Sequence, residues 1–180
     1  SHERQYRQLY RLVGYRLARE DVAPGDTLQL TLYWQAETTV NEAYTVFTHL
    51  QGSDGELVAQ QDNPPRRGTC PTNTWSPGAL VEDPYEIPVS LDARPGEYTL
   101  STGMYDPATM GRLPVETADG QRLPNDRLPL TTVHVRPPVP AWRWAVSAGW
   151  LAFVAGSVVL SRIDSGTRET SADVARERTR

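Results

Sequence analysis

The stretch from Pro24 to Ala36, PGDTLQLTLYWQA, constrains the fold of this chain more than any other. Leu28, Leu30, Leu32 and Trp34 fall on one face, and Thr27, Gln29, Thr31 and Tyr33 on the other. Side chains in a strand point alternately to opposite faces, so this pattern predicts a half-buried β-strand. Pro24-Gly25 opens it as a type II turn does, with Pro setting one φ and Gly supplying a positive one. A strand with one apolar face needs a second layer to cover it. The rest of the chain has to supply that layer.

Strand signals recur along the chain. Residues 9–18 read as a first strand, with Gly14 marking a bulge; a helix over residues 3–13 ending at Gly14 is the competing reading. Residues 44–51 carry apolar side chains on both faces, Val46 and Leu50 against Phe47, which predicts a central strand. Asp54-Gly55 is a two-residue hairpin signal, so residues 57–61 should return antiparallel. Residues 62–80 hold four prolines and two glycines and form the longest irregular segment; a loop of this length usually has a function or crosses between sheets. Strands are expected again at 85–91, at an edge because of Pro88, at 98–105 after a second type II turn at Pro95-Gly96, at 112–116, and at 131–136. Seven or eight short strands with turns between them and no helix predict an all-β fold, an antiparallel immunoglobulin-like β-sandwich.

The C-terminal part has a different composition. Residues 144–161, WAVSAGWLAFVAGSVVLS, contain no charge over 18 residues. As a helix they would extend roughly 27 Å, close to the apolar thickness of a bilayer. Trp142, Trp144 and Trp150 suit an interfacial belt, and Arg162 begins an arginine-bearing tail. The positive-inside rule then places that tail in the cytoplasm and the N-terminal part outside. Ala148, Ala152 and Gly156 form a ridge of small residues suited to helix–helix contact in lipid. The expected organisation is an extracytoplasmic β-sandwich over 1–136, a Pro-rich juxtamembrane spacer over 137–143, one C-terminal transmembrane helix over 144–161 and a disordered cytoplasmic tail over 162–180. The chain begins at Ser1 and reads as a piece of a longer protein.

Composition excludes several functions. The net charge is −4 and all 18 basic residues are arginine, but no basic cluster is interleaved with aromatics, so nucleic acid is not an expected partner. The single cysteine, Cys70, has no second thiol for a disulfide or a metal site. His2, His49 and His134 lack ligand spacing, so no metal or cofactor is expected. His49, Asp62 and Ser76 are imaginable as a triad, but no nucleophile elbow supports one. The module is expected to be non-catalytic.

PGDTLQLTLYW, YTVFTHLQGSDGELVAQQDNPP, the Trp75-Ser76-Pro77-Gly78 turn and PGEYTLSTGMYDPATMGRLPV together resemble a known module. It is the C-terminal extracytoplasmic β-sandwich of bacterial membrane glycosyltransferases of the dolichyl-phosphate-mannose mannosyltransferase type (GT-C). The resemblance covers roughly residues 12–136. It implies an accessory module that contacts acceptor or glycan, or stabilises the membrane portion of the same enzyme, with the polyprenyl-phosphate-sugar chemistry carried elsewhere. The alternative is a membrane-tethered adhesion or assembly module unrelated to an enzyme. For glycan contact the candidates are Trp75 in the long loop, Tyr85, and Tyr105 beside Asp106, because aromatic faces stack on sugar rings while polar neighbours bond hydroxyls. Lipid bilayer is the other expected partner.

Overall fold

The computed structural model describes residues 9–138. They fall within one compact unit, Ser1–Pro138. The expected spacer beyond Pro138, transmembrane helix and tail, with Trp142, Trp144, Trp150, Arg162 and the Ala148, Ala152, Gly156 ridge, lie outside the described residues. Among the described residues no helix is long and apolar enough to cross a membrane.

Among the described residues, eight strands form two sheets. They are β1 (Tyr10–Leu17), β2 (Asp21–Val22), β3 (Thr27–Ala36), β4 (Thr45–Gln51), β5 (Leu57–Asn63), β6 (Leu80–Pro88), β7 (Gly96–Tyr105) and β8 (Leu128–Val135). One sheet has the order β1-β3-β6, the other β2-β8-β7-β4-β5. All pairings are antiparallel except the two-residue pairing of β2 with β8. The fold is all-β and sandwich-like. Its core draws on both sheets, with Leu28, Leu30, Leu32, Trp34, Tyr85 and Ile87 from one and Val46, Leu50, Leu100, Met104 and Val133 from the other. Two threonines, Thr48 and Thr102, face each other inside this core. Their hydroxyls donate to the Gln61 and Phe47 carbonyls at 2.8 Å, so burial leaves neither unsatisfied.

The two sheets are stitched along both sides. On one side Ser90 donates its N–H to the Val58 carbonyl at 2.8 Å, and Glu86 N–H reaches the Gln61 side chain at 2.9 Å. On the other, the Tyr15 hydroxyl donates to the Leu130 carbonyl at 3.0 Å, and His134 and Arg136 N–H reach the Glu20 and Val22 carbonyls at 2.7 Å. Two residues of parallel pairing at β2 therefore carry the chain from one sheet to the other and back.

Much of the predicted pattern is present. Leu28, Leu30, Leu32 and Trp34 are 0 to 5% exposed, while Thr27 and Gln29 face out. Gly25 and Gly55 have the positive φ their turns need, the register of β1 shifts between Leu12 and Gly14, β4 is interior to its sheet, and β6 with Pro88 is at an edge. Three expectations fail. Pro95-Gly96 is not a type II turn, because Gly96 has no positive φ and already pairs with Val135 as the first residue of β7. Residues 112–116 form no strand, only single bridges from Arg112 to Tyr105 and from Glu116 to Arg122. The strand expected from Tyr85 begins at Leu80.

Trp34→Ala removes a large buried ring and should cost about 3–5 kcal/mol. Tyr33→Ala, on the half-exposed face of the same strand, should cost much less. Thermal unfolding of the two variants measures both, and equal losses would refute the face assignment.

Candidate functional site

The face of the five-stranded sheet turned away from the core carries a strip of polar side chains. In β4, Phe47, His49 and Gln51 alternate with the core residues Val46 and Leu50. Register places Asp62 and Gln60 of β5, and Gly103, Ser101 and Thr99 of β7, beside them on that same face. His49 Nε2 and Asp62 Oδ1 are 3.2 Å apart. The strip therefore offers imidazole, carboxylate, amide and hydroxyl groups side by side. All of them stand on strands, which hold them more firmly than a loop does.

Phe47 is 1% exposed yet lies outside the main core. The connection 106–127 between β7 and β8 covers it. The Arg112 guanidinium stacks over the ring at 4.6 Å, His49 lies against it at 4.9 Å between ring centroids, and Gly103 makes room below. A Cβ on Gly103 would sit 2.5 Å from Phe47 Cζ and 3.1 Å from the Asp126 carbonyl oxygen. Only glycine permits this approach. Arg122 holds the Asp126 carboxylate with two bonds of 2.8 and 2.7 Å, which keeps that carboxyl below its usual range. Arg127 reaches across the face to donate to the Gln51 side-chain oxygen.

The long loop is held by a buried carboxylate. Asp83 is 1% exposed on the inward face of β6. It accepts the Arg66 N–H at 2.7 Å and the Tyr85 hydroxyl at 2.6 Å. The Trp34 indole N–H acts on it from beyond hydrogen-bonding geometry. Burial raises its pKa above the ordinary 3.8 although these donors pull the other way. The bond from Arg66 secures a turn in which Arg66, Arg67 and Gly68 all have positive φ (53°, 56° and 85°). Further along the loop, Thr72 is fully buried; its hydroxyl accepts the Tyr44 N–H at 2.8 Å and donates to the Glu42 carbonyl at 3.1 Å.

The four sequence candidates fall in different settings. Trp75 is 3% exposed; its indole N–H donates to the Cys70 carbonyl at 2.9 Å and its ring meets Tyr10 edge-on at 5.3 Å. Tyr85 is 2% exposed and bonded to Asp83. Neither presents an open ring face. Asp106 uses both carboxylate oxygens within its own turn, accepting the Ala108 N–H and the Thr109 hydroxyl at 2.9 Å. Tyr105 is half-buried opposite Thr45, at the end of the outward strip. Ring contacts run from Trp75 through Tyr10 to Tyr44. Tyr44 precedes Thr45, the partner of Tyr105 in the β4–β7 register, and feels the Asp106 charge. The long loop and the Tyr105-Asp106 turn therefore meet at one end of the sandwich.

The outward strip, with His49, Gln51, Gln60 and Ser101, is the part sequence reasoning missed. Its signal was the alternation of Phe47, His49 and Gln51 against Val46 and Leu50.

At the same end, β8 pairs with β7 only as far as Thr102, leaving the edge at Gly103–Tyr105 to the loop after it. A cleft of about 570 Å³ opens there between Leu9, Leu12, Trp34, Met104, Leu113 and Val115. Its walls are mainly apolar and suit an aliphatic group better than a hydroxyl-rich sugar. Tyr10 borders it, and burial pushes its phenol up to about 12 against the influence of Thr72. Among the described residues, no three His, Cys, Asp or Glu side chains gather as a metal site requires, and no contact joins Ser76 to the His49–Asp62 pair.

These features define an all-β, two-sheet domain with a polar outward face. No protein-family profile matches the chain, and no curated protein matches it. Among solved structures it is similar to the crystal structure of the C-terminal domain of wzt, at 14% identity over 76% of this chain and 78% of that one, with a TM-score of 0.48. The resemblance to the mannosyltransferase modules stands on the sequence motifs alone.

Asp83 gives the fold a pH signature. Its folded pKa is raised above the ordinary 3.8, so above that pH the folded state holds more proton at this site than the unfolded one, and Asp83's contribution to stability falls as pH rises. Asp83→Asn lacks this titration. The melting temperature of the variant minus that of the parent should therefore be more positive at neutral pH than at pH 4; an unchanged difference would refute the raised pKa.

Proposed function

We propose that this chain is a non-catalytic, membrane-anchored β-sandwich of immunoglobulin-like type that contacts glycan weakly, as the accessory module of a membrane glycosyltransferase. The observation that carries the glycan reading is the outward strip of the five-stranded sheet. His49, Asp62, Gln60, Gln51 and Thr99 there can each donate to or accept from a hydroxyl. Tyr105, half-buried at the end of the strip, is the candidate ring for a sugar face. Asp106 shapes its turn, and Trp75 and Tyr85 hold the neighbouring loop from within. Hydrogen bonds exchanged with water contribute only about 1 kcal/mol each, so affinities on the order of millimolar follow. Such a site orients an acceptor without retaining it.

The glycosyltransferase affiliation rests on the resemblance, and the membrane anchor on residues 144–161 with their flanking Trp142 and Arg162. In this reading the sandwich lies outside the cytoplasmic membrane, and Ala148, Ala152 and Gly156 face another helix.

Two measurements test the proposal. Amide shifts of the full 180-residue chain, held in a polyoxyethylene detergent that carries no sugar, should move at Gln51, Gln60 and Ser101 on titration with oligosaccharides. A folded sample that shows no shift with any glycan would refute glycan contact. A reporter active only in the cytoplasm should work when fused after Arg180 and fail when fused at Pro138; activity at Pro138 would overturn the topology.

A further inference from the structure

The roofed half of the outward face carries more positive charge than its surroundings balance. Arg127 is half-buried, and its hydrogen-bond partner is the neutral amide oxygen of Gln51. Its Nε is enclosed with no acceptor. Burial, and then the nearby Arg112, make its positive charge less favourable than in water. Arg112 lies over the Phe47 ring and donates to the Asn125 carbonyl at 3.0 Å, again a neutral acceptor. Among the described residues neither arginine forms an ion pair.

The carboxylates nearby are engaged elsewhere. Asp126 feels Arg112 at a distance but is bonded twice by Arg122. Asp62 faces His49 at 3.2 Å. Two neighbouring guanidiniums without an ion-pair partner, in a chain of net charge −4, form a local exception. A buried charge is unfavourable unless it is paired. An incoming oxyanion would relieve both the desolvation of Arg127 and its repulsion with Arg112.

We infer that Arg127 and Arg112 form a site for an oxyanion, a carboxylate or phosphate group, carried on the glycan that the adjoining strip contacts. This inference rests on the glycan reading, since the strip of hydroxyl and amide groups is what would seat the rest of the sugar. The oxyanion takes donors from the guanidiniums, which suit planar two-oxygen recognition. No bond is made or broken.

The test compares a trimer of galacturonic acid with its fully methyl-esterified form, which has the same rings and no charge. Amide shifts of the full chain in the same detergent give both affinities. The acid should bind about fivefold tighter than the ester at about 20 mM salt, with the preference shrinking at about 500 mM. Arg127→Gln and Arg112→Gln should each abolish the preference for acid over ester. If Arg127→Gln loses its dispersed amide spectrum, the half-exposed Arg112 variant is read alone. Equal binding of acid and ester overturns the oxyanion site and leaves the glycan reading intact. So does a preference for acid that both variants retain. No binding of either trimer overturns both. Mannose 6-phosphate against inorganic phosphate separates the sources: equal affinity would show that the anion alone is taken and overturn the glycan-borne assignment.

Discussion

The buried carboxylate of Asp83 is the interaction on which the arrangement of the long connection depends. A loop crossing between two sheets has to satisfy its own backbone groups, and this one also contains two arginines in the left-handed region. Each non-glycine residue held there costs roughly 1–2 kcal/mol. The strong bond from Arg66 N–H to Asp83 offsets part of that strain. Tyr85 bonds the second oxygen of the same carboxylate and is itself part of the core. Removing one partner would leave another buried group unsatisfied, so the loop and the core stand together.

The sandwich has two apolar regions with different covers. The main one lies between the sheets. The smaller one is Phe47, outside, under Arg112 and the connection 106–127. β4 serves both, which explains why it is apolar on both faces. The apolar cleft opens where β8 stops short of Gly103. Polar side chains on the outward face are therefore held by a strand whose opposite face is fixed in the core.

Legibility in the sequence followed physical range. The alternation in β3, the Asp54-Gly55 hairpin and the bulge at Gly14 are local, and each was readable from a few adjacent residues. Asp83 was missed because the strand was started at Tyr85. Taken from Leu80, the same alternation puts Asp83 on the buried face beside Val81 and Tyr85. Pro95-Gly96 misled because the turn chemistry is permissive, whereas pairing with β8 draws Gly96 into a strand. Residues 112–116 alternate like a strand but find only single bridges, since β8 leaves just the short edge Gly103–Tyr105 of β7 free beside them. The burial of Trp75 depends on Tyr10, far away in sequence, and the cover over Phe47 depends on a connection whose path no local rule specifies.

Phe47 bears on how such a domain can diversify. Recognition loops on many β-folds are exchangeable, because the scaffold beneath them is complete without them. Here the connection 106–127 is part of the scaffold. Shortening it would bare an aromatic ring and a glycine chosen to fit beneath it. A lineage altering the chemistry of this face can change the exposed side chains on the strands, but length changes in that connection need compensating replacements at Phe47 and Gly103. Variation should thus be found in residue identity more than in loop length.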